Sequence, residues 1–195
     1  YEYSNSSWTQ LGSDIDGEAA GDKSGYSVSM NAVGDRIAIG AQGNDGNGSD
    51  AGHVRVYEYS NSSWTQLGSD IDGESTGDQS GYYLSINNSG DKIAIGAIYN
   101  DGNGSNAGHV RVYEYSNNSW TLLGSDIDGE AAGDQFGYSI AMNSPGNRIA
   151  LAAINNDGIG NNAGHVRVYE YSNNSWTQLG SDIDGEAAGD QFGYS

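Results

Sequence analysis

Four carboxylates crowd the stretch Asp14-Ile-Asp-Gly-Glu-Ala-Ala-Gly-Asp22, and the crowding recurs at a spacing of 56 residues. Asp14, Asp16, Glu18 and Asp22 return as Asp70, Asp72, Glu74 and Asp78, and again as Asp126, Asp128, Glu130 and Asp134. Hard oxygen donors at alternating places in a flexible loop suit calcium, which takes 6–8 oxygens. The pattern is not an EF-hand: Gly17 falls at loop position four rather than six, and no glutamate closes position twelve. The competing reading is a solvated turn, since Asp and Gly also satisfy turn geometry.

A second oxygen-rich stretch, Asn44-Asp-Gly-Asn-Gly-Ser-Asp50, offers Asn44, Asp45, Asn47 and Asp50 to a glycan or a peptide. Its counterparts are Asn100, Asp101 and Asn103, then Asn156 and Asp157, with Ile159 where an asparagine would stand. Such drift argues against a strict metal cage, and a mobile loop tip is the plain alternative. His53, His109 and His165 lie one per repeat. Copies a whole repeat apart are not expected to converge on one metal, so a structural role, such as a hydrogen bond to the next repeat, is expected. Arg55, Arg111 and Arg167 follow two residues on and should pair with carboxylates such as Glu58 or those of the acidic connector. Trp8, Trp64, Trp120 and Trp176 can stack on sugars, although packing between repeats is the commoner fate of such rings. No Ser-His-Asp or Cys-His set has a distinctive setting, and the acid pairs lie in near-identical loops with no sign of one tuned partner. A non-catalytic chain is therefore expected.

The elements that must carry these residues are short strands. In Gly25–Met30 apolar and polar residues alternate, placing Tyr26, Val28 and Met30 on one face. Asn31–Asp35 is a turn. Arg36–Ala41 is a second strand whose small residues allow close stacking of sheets. After the Asn-rich loop, Gly52–Tyr59 is the strongest strand, with β-branched and aromatic residues in period two. Asn61–Ser63 turns the chain into a fourth strand, Trp64–Leu67, and the acidic connector leads to the next unit. No segment has helical periodicity. The expectation is an all-β fold with four antiparallel strands per 56-residue repeat, which is the make-up of a β-propeller blade. Three complete blades are expected at about 25–68, 81–124 and 137–180, with partial blades at 1–12 and 192–195. A β-solenoid ranks second, because its coils are shorter.

The repeats are close copies: the first two periods differ at 12 of 56 positions. A row of such units suits multivalent binding, adhesion or scaffolding. The chain holds 31 Gly, one Pro and no Cys, so no disulfide supports it. A net charge of −19 opposes nucleic-acid phosphates and anionic membranes, and no apolar run approaches the ~20 residues needed to cross a bilayer. Beginning at Tyr1 without a signal peptide, the chain reads as a mature or excised segment of a longer array.

Phe136-Gly-Tyr-Ser139, Gly40-Ala41-Gln42 and the run Asn44–Val54 together resemble the FG-GAP repeat family, once per repeat over essentially the whole chain. That family includes the integrin-α-type seven-bladed propeller, so the resemblance implies propeller blades and an adhesive role. The Phe-Gly half reads Ser24-Gly25 and Ser80-Gly81 in the earlier copies, and the proline of the Gly-Ala-Pro half is absent. Integrin-like members carry a calcium loop of the Asp-x-Asp-x-Asp-Gly type between the first two strands. Here Asn31–Asp35, Asn87–Asp91 and Asn143–Asn147 are too short and too poor in carboxylates for it. The combined expectation is a non-catalytic, extracellular or cell-surface adhesion module. It would present repeated loops to a protein or glycan, with calcium at the connectors. The alternative is a purely structural unit of a surface fibre, through self-association or adjoining blades of a longer parent chain.

Overall fold

The computed structural model describes residues 1–195 and contains seventeen β-strands and no helix. Three antiparallel sheets follow one another along the chain. The first runs β3 (Ser27–Met30), β4 (Arg36–Ala41), β5 (His53–Ser60), β6 (Ser63–Gln66) in spatial as in chain order. The second repeats this with β8 (Tyr83–Ile86), β9 (Lys92–Ala97), β10 (His109–Ser116) and β11 (Ser119–Leu122). The third does so with β13 (Phe136–Met142), β14 (Arg148–Ala153), β15 (His165–Ser172) and β16 (Ser175–Gln178). A two-stranded sheet, β1 (Glu2–Ser4) with β2 (Ser7–Thr9), precedes them. Residues 192–195 form no strand, unlike the expected start of a further blade.

One element departs from the expected four per repeat. The acidic connector contains a two-residue strand, β7 (Ile71–Asp72), β12 (Ile127–Asp128) or β17 (Ile183–Asp184), that pairs with the start of the third strand of its sheet. Pairing sets Asp72 opposite His53 and Ile71 opposite Val54. Ile71 and Ile127 are buried, and their side chains pull the connector onto the sheet.

Local chemistry explains the hairpins. Asn61 and Ser62 take φ of 51° and 65°, the left-handed pair that a two-residue hairpin needs between Ser60 and Ser63. In the first turn of the sheet the Asn31 Oδ1 accepts hydrogen bonds from the backbone N–H groups of Gly34, Asp35 and Arg36. The asparagine side chain thus does the work of a backbone carbonyl.

The core lies between sheets rather than within them. At the first junction Ala38, Val54, Val56 and Ile71 of one sheet pack on Leu84, Ile86, Ile93 and Ile95 of the next. At the second, Ala94, Val110, Val112 and Ile127 meet Phe136, Ile149, Leu151 and Tyr169. The expected close stacking at small residues is present: a Cβ on Gly40 would collide with the Gly81 carbonyl of the following repeat, and one on Gly96 with that of Gly137. Three of the four tryptophans tie a junction at its rim. Trp64, Trp120 and Trp176 donate Nε1–H to the carbonyls of Leu11, Leu67 and Leu123 at 2.9, 2.7 and 2.8 Å.

Candidate functional site

Each third strand opens with its histidine at a junction between connectors. The connector after the sheet lays Asp70 beside His53 through the β7 pairing, while Glu18 arrives from the connector before it. His53 Nδ1 stands 3.8 Å from Glu18 Oε2 and 3.9 Å from Asp70 Oδ2. The arrangement recurs as Glu74–His109–Asp126 and Glu130–His165–Asp182, and in each triad the donor atoms lie within 4.8 Å of one another. All three imidazoles are buried. Both nitrogens of His165 are buried without a hydrogen-bond partner.

The arginine two residues along the strand reaches the same carboxylates. Arg111 donates Nε–H and Nη2–H to the two oxygens of Asp126, each at 2.9 Å, and also contacts Glu74. Arg167 grips Asp182 at 2.9 and 2.8 Å and contacts Glu130. Arg55 differs: its Nη2–H goes to the Asp16 carbonyl at 2.8 Å, leaving Glu18 at 3.6 Å from Nη1. Glu58, the other expected partner, belongs instead to Arg36, at 2.8 Å. Burial pushes the pKa of His109 and His165 down, and the adjacent guanidinium adds to that, so both imidazoles favour the neutral form. The hydrogen bonds from Arg167 hold the Asp182 carboxyl below its usual range, against its partial burial.

The connector carboxylates therefore part company. No three from one connector lie together within ligand reach of each other. Asp14 and Asp70 accept from Gln10 and Gln66, at 2.8 and 2.6 Å. Glu18, Glu74 and Glu130 turn to the histidine and arginine, and Asp126 joins them from the following side. Asp22, Asp78 and Asp134 are buried, each accepting from the Nδ2–H of Asn44, Asn100 or Asn156 at 2.9 Å. Asp16, Asp72 and Asp128 stay exposed.

The Asn-rich loops are clasped to the connectors. Asn44, Asn100 and Asn156 also accept from the N–H two residues on, in Asx turns. Asn47 donates to the Gly73 carbonyl at 2.7 Å and Asn103 to that of Gly129 at 2.8 Å. Asp45, Asp101 and Asp157 accept from the backbone N–H of Asp50, Asn106 and Asn162. The candidate ligand-binding side chains are thus largely engaged within the fold. A polar cleft of ≈ 540 Å³ remains between Glu74, Thr76, Asp78, Asn100 and Asp101.

Two further features stand out. A cleft of ≈ 180 Å³ is lined by Ser13, Asp14, Asp16, Tyr57, Ser63 and Trp64. Its copy one repeat later, ≈ 160 Å³, is lined by Ser69, Asp70, Asp72, Tyr113, Ser119 and Trp120. A tyrosine ladder also crosses the sheets: Tyr26 packs on Tyr82, and Tyr138 on Tyr83 and Tyr194, with ring centroids 4.8, 4.9 and 5.1 Å apart. Sequence reasoning passed over the ladder, although Tyr follows Gly25, Gly81, Gly137 and Gly193 at the repeat spacing.

No family model matches the chain, and no curated protein matches it. Solved structures do. A candidate 6-phosphogluconolactonase from Bacteroides uniformis aligns with a TM-score of 0.54 at 9% identity, over 84% of this chain and 42% of that one. Sqt1 of Saccharomyces cerevisiae aligns at 0.51 and 13% identity, over 84% and 36%. Kuenenia stuttgartiensis hydrazine synthase aligns at 0.50 and 9%, over 81% and 36%. This chain thus spans less than half the length of each. At such identities the likeness shows the fold: an all-β, propeller-like array of antiparallel sheets. The first of these structures also overturns the expectation that the chain is not an enzyme. A fold of this kind is found in a protein assigned a catalytic role, so repetition of the sheets does not argue against catalysis.

Proposed function

We propose that this chain forms successive blades, at about 25–68, 81–124 and 137–180, of a propeller of the FG-GAP kind. It acts outside the cell or at its surface as an adhesion module that presents repeated sites to a glycan or protein. The observation that carries this reading is the duplicated cleft. Each copy combines two carboxylates, two serines, a tyrosine and a tryptophan, which is the mixture of apolar surface and hydrogen-bonding groups that sugars and polar loops require. Two copies one repeat apart let weak contacts add through effective concentration.

The test is binding of the immobilised chain to glycan and matrix-protein panels. Saturable binding is expected. Asp16→Asn and Asp72→Asn, each removing an exposed cleft carboxylate, should weaken it about tenfold singly (~1.4 kcal/mol) and far more together. Panels without a saturable ligand would sink the reading. A second reading, a structural unit of a surface fibre, is favoured by one observation: the Asn-rich loops spend their side chains on internal clasps. It predicts filaments by electron microscopy and no change in the double variant.

A further inference from the structure

We propose that each inter-connector triad is a binding site for a divalent cation of the zinc class, ligated by a histidine Nδ1 and two carboxylates. The sites are Glu18–His53–Asp70, Glu74–His109–Asp126 and Glu130–His165–Asp182. They are distinct from a calcium loop within one connector, because each draws its acids from two successive connectors around an imidazole.

Three observations carry the inference. The first is the donor set. One imidazole nitrogen with two carboxylate oxygens, all within 4.8 Å, matches the ligands zinc accepts, with water completing a tetrahedron. Calcium asks for more oxygens and little nitrogen. The second is the histidine. His165 is 1% exposed, its Nδ1 faces Asp182 Oδ2 at 3.8 Å, and neither ring nitrogen has a hydrogen-bond partner. Buried polar atoms are rarely left so, and ligation gives Nδ1 the partner it lacks. The carboxylates are meanwhile oriented from behind, as metal-binding acids are: Gln66 and Gln178 donate to the Oδ1 of Asp70 and Asp182 at 2.6 Å.

The third observation concerns the arginine, which would oppose a cation. At the second and third triads its guanidinium bridges the two acids and stands where the positive charge is needed. At the first triad the same arginine, Arg55, has turned to the Asp16 carbonyl and makes no hydrogen bond to Asp70. The side chain therefore has two anchorages, one of which releases the aspartate of the triad and holds the glutamate only by a 3.6 Å ion pair. Metal and guanidinium compete, and the first site is expected to load at the lowest zinc concentration.

Equilibrium dialysis of the full chain against buffered zinc or calcium, with metal counted per chain, tests this. About three zinc ions per chain are expected, one for each triad, with at least a tenfold preference over calcium. His53→Gln, His109→Gln and His165→Gln should each remove one equivalent. The zinc-induced rise in melting temperature should vanish in the triple variant, whose fold is checked by circular dichroism without metal. If that variant fails to fold, Glu18→Gln with Glu74→Gln and Glu130→Gln, all at partly exposed acids, replaces it with the same expectation. Zinc uptake that ignores these substitutions, no zinc retained, or calcium retained in its place would each overturn the proposal.

Discussion

Val28 and Leu84 hold the same place in two close copies of one repeat, yet Val28 is 60% exposed and Leu84 9%. Met30 and Ile86, two residues on, differ in the same way, at 53% and 7%. Both pairs point to the side that faces the preceding sheet. Leu84 and Ile86 find Ala38, Val54 and Val56 there, whereas Val28 and Met30 have no sheet against them. A single four-stranded sheet thus buries little by itself. Its apolar residues become a core when the next copy is laid against them, as in other arrays whose stability is a sum over neighbouring interfaces.

The sharpest way to break this comparison is to truncate both members. Leu84→Ala should cost about 2–4 kcal/mol, because it opens a void in a junction core. Val28→Ala should stay within about 0.5 kcal/mol. Urea unfolding of the two variants measures the gap, and equal losses would refute the junction-centred account. A smaller contrast lies at the rim. Trp120→Phe removes the Nε1–H donor to the Leu67 carbonyl and leaves a partly buried oxygen unpaired, for about 1 kcal/mol. Trp8 is exposed and packs on Tyr3 within the short β1–β2 sheet, so Trp8→Phe should change stability by a few tenths of a kcal/mol at most. A Trp8 effect as large as that of Trp120 would mean that ring packing, not the cross-junction hydrogen bond, sets the value.

The same contrast explains what could be read from the sequence. The β-branched and aromatic run His53–Ser60 and the small residues of Arg36–Ala41 reveal strands and a close approach, because both signals are local, although His53–Tyr57 are buried throughout rather than alternately. The strand at Ile71–Asp72 is invisible at that level: one isoleucine between two acids has no period, and only pairing with His53 and Val54 makes it a strand. The triads are hidden for a related reason. Glu18, His53 and Asp70 lie in three different segments, and nothing local shows that the connectors flanking a sheet both reach its third strand. Asn44 and Asn47 looked free to meet a ligand because their partners, Asp22 and the Gly73 carbonyl, come from neighbouring connectors. A repeat makes each unit legible and leaves the junctions between units to the structure.

The smallest effect concerns the first turn of the second and third sheets. Asp91 is partly buried, which alone would raise its pKa. Hydrogen bonds from Ser89 and Asn87, both at 2.7 Å, and the nearby Lys92 overcome that and hold the carboxyl below its usual value. The third sheet has Asn147 at this place, hydrogen-bonded to Asn143 at 2.9 Å, and an amide does not titrate. A carboxyl whose folded pKa is depressed adds stability above its unfolded value of about 3.9, and loses that contribution as the pH falls through the lower folded value. Acidification from about pH 5 to 2 should therefore loosen the Asn87–Lys92 turn before the Asn143–Arg148 turn. Backbone amide shifts followed by NMR should give a midpoint below ~3.9 at Gly90 and Asp91 and no local titration at Gly146 and Asn147. Asp91→Asn should abolish the first transition. A midpoint at or above the ordinary aspartate value would show that burial outweighs the two hydrogen bonds. Parallel titration of both turns would show that acid acts on the array as a whole, through the backbone bond from Asn88 N–H to the Ser144 carbonyl that ties one turn to the other.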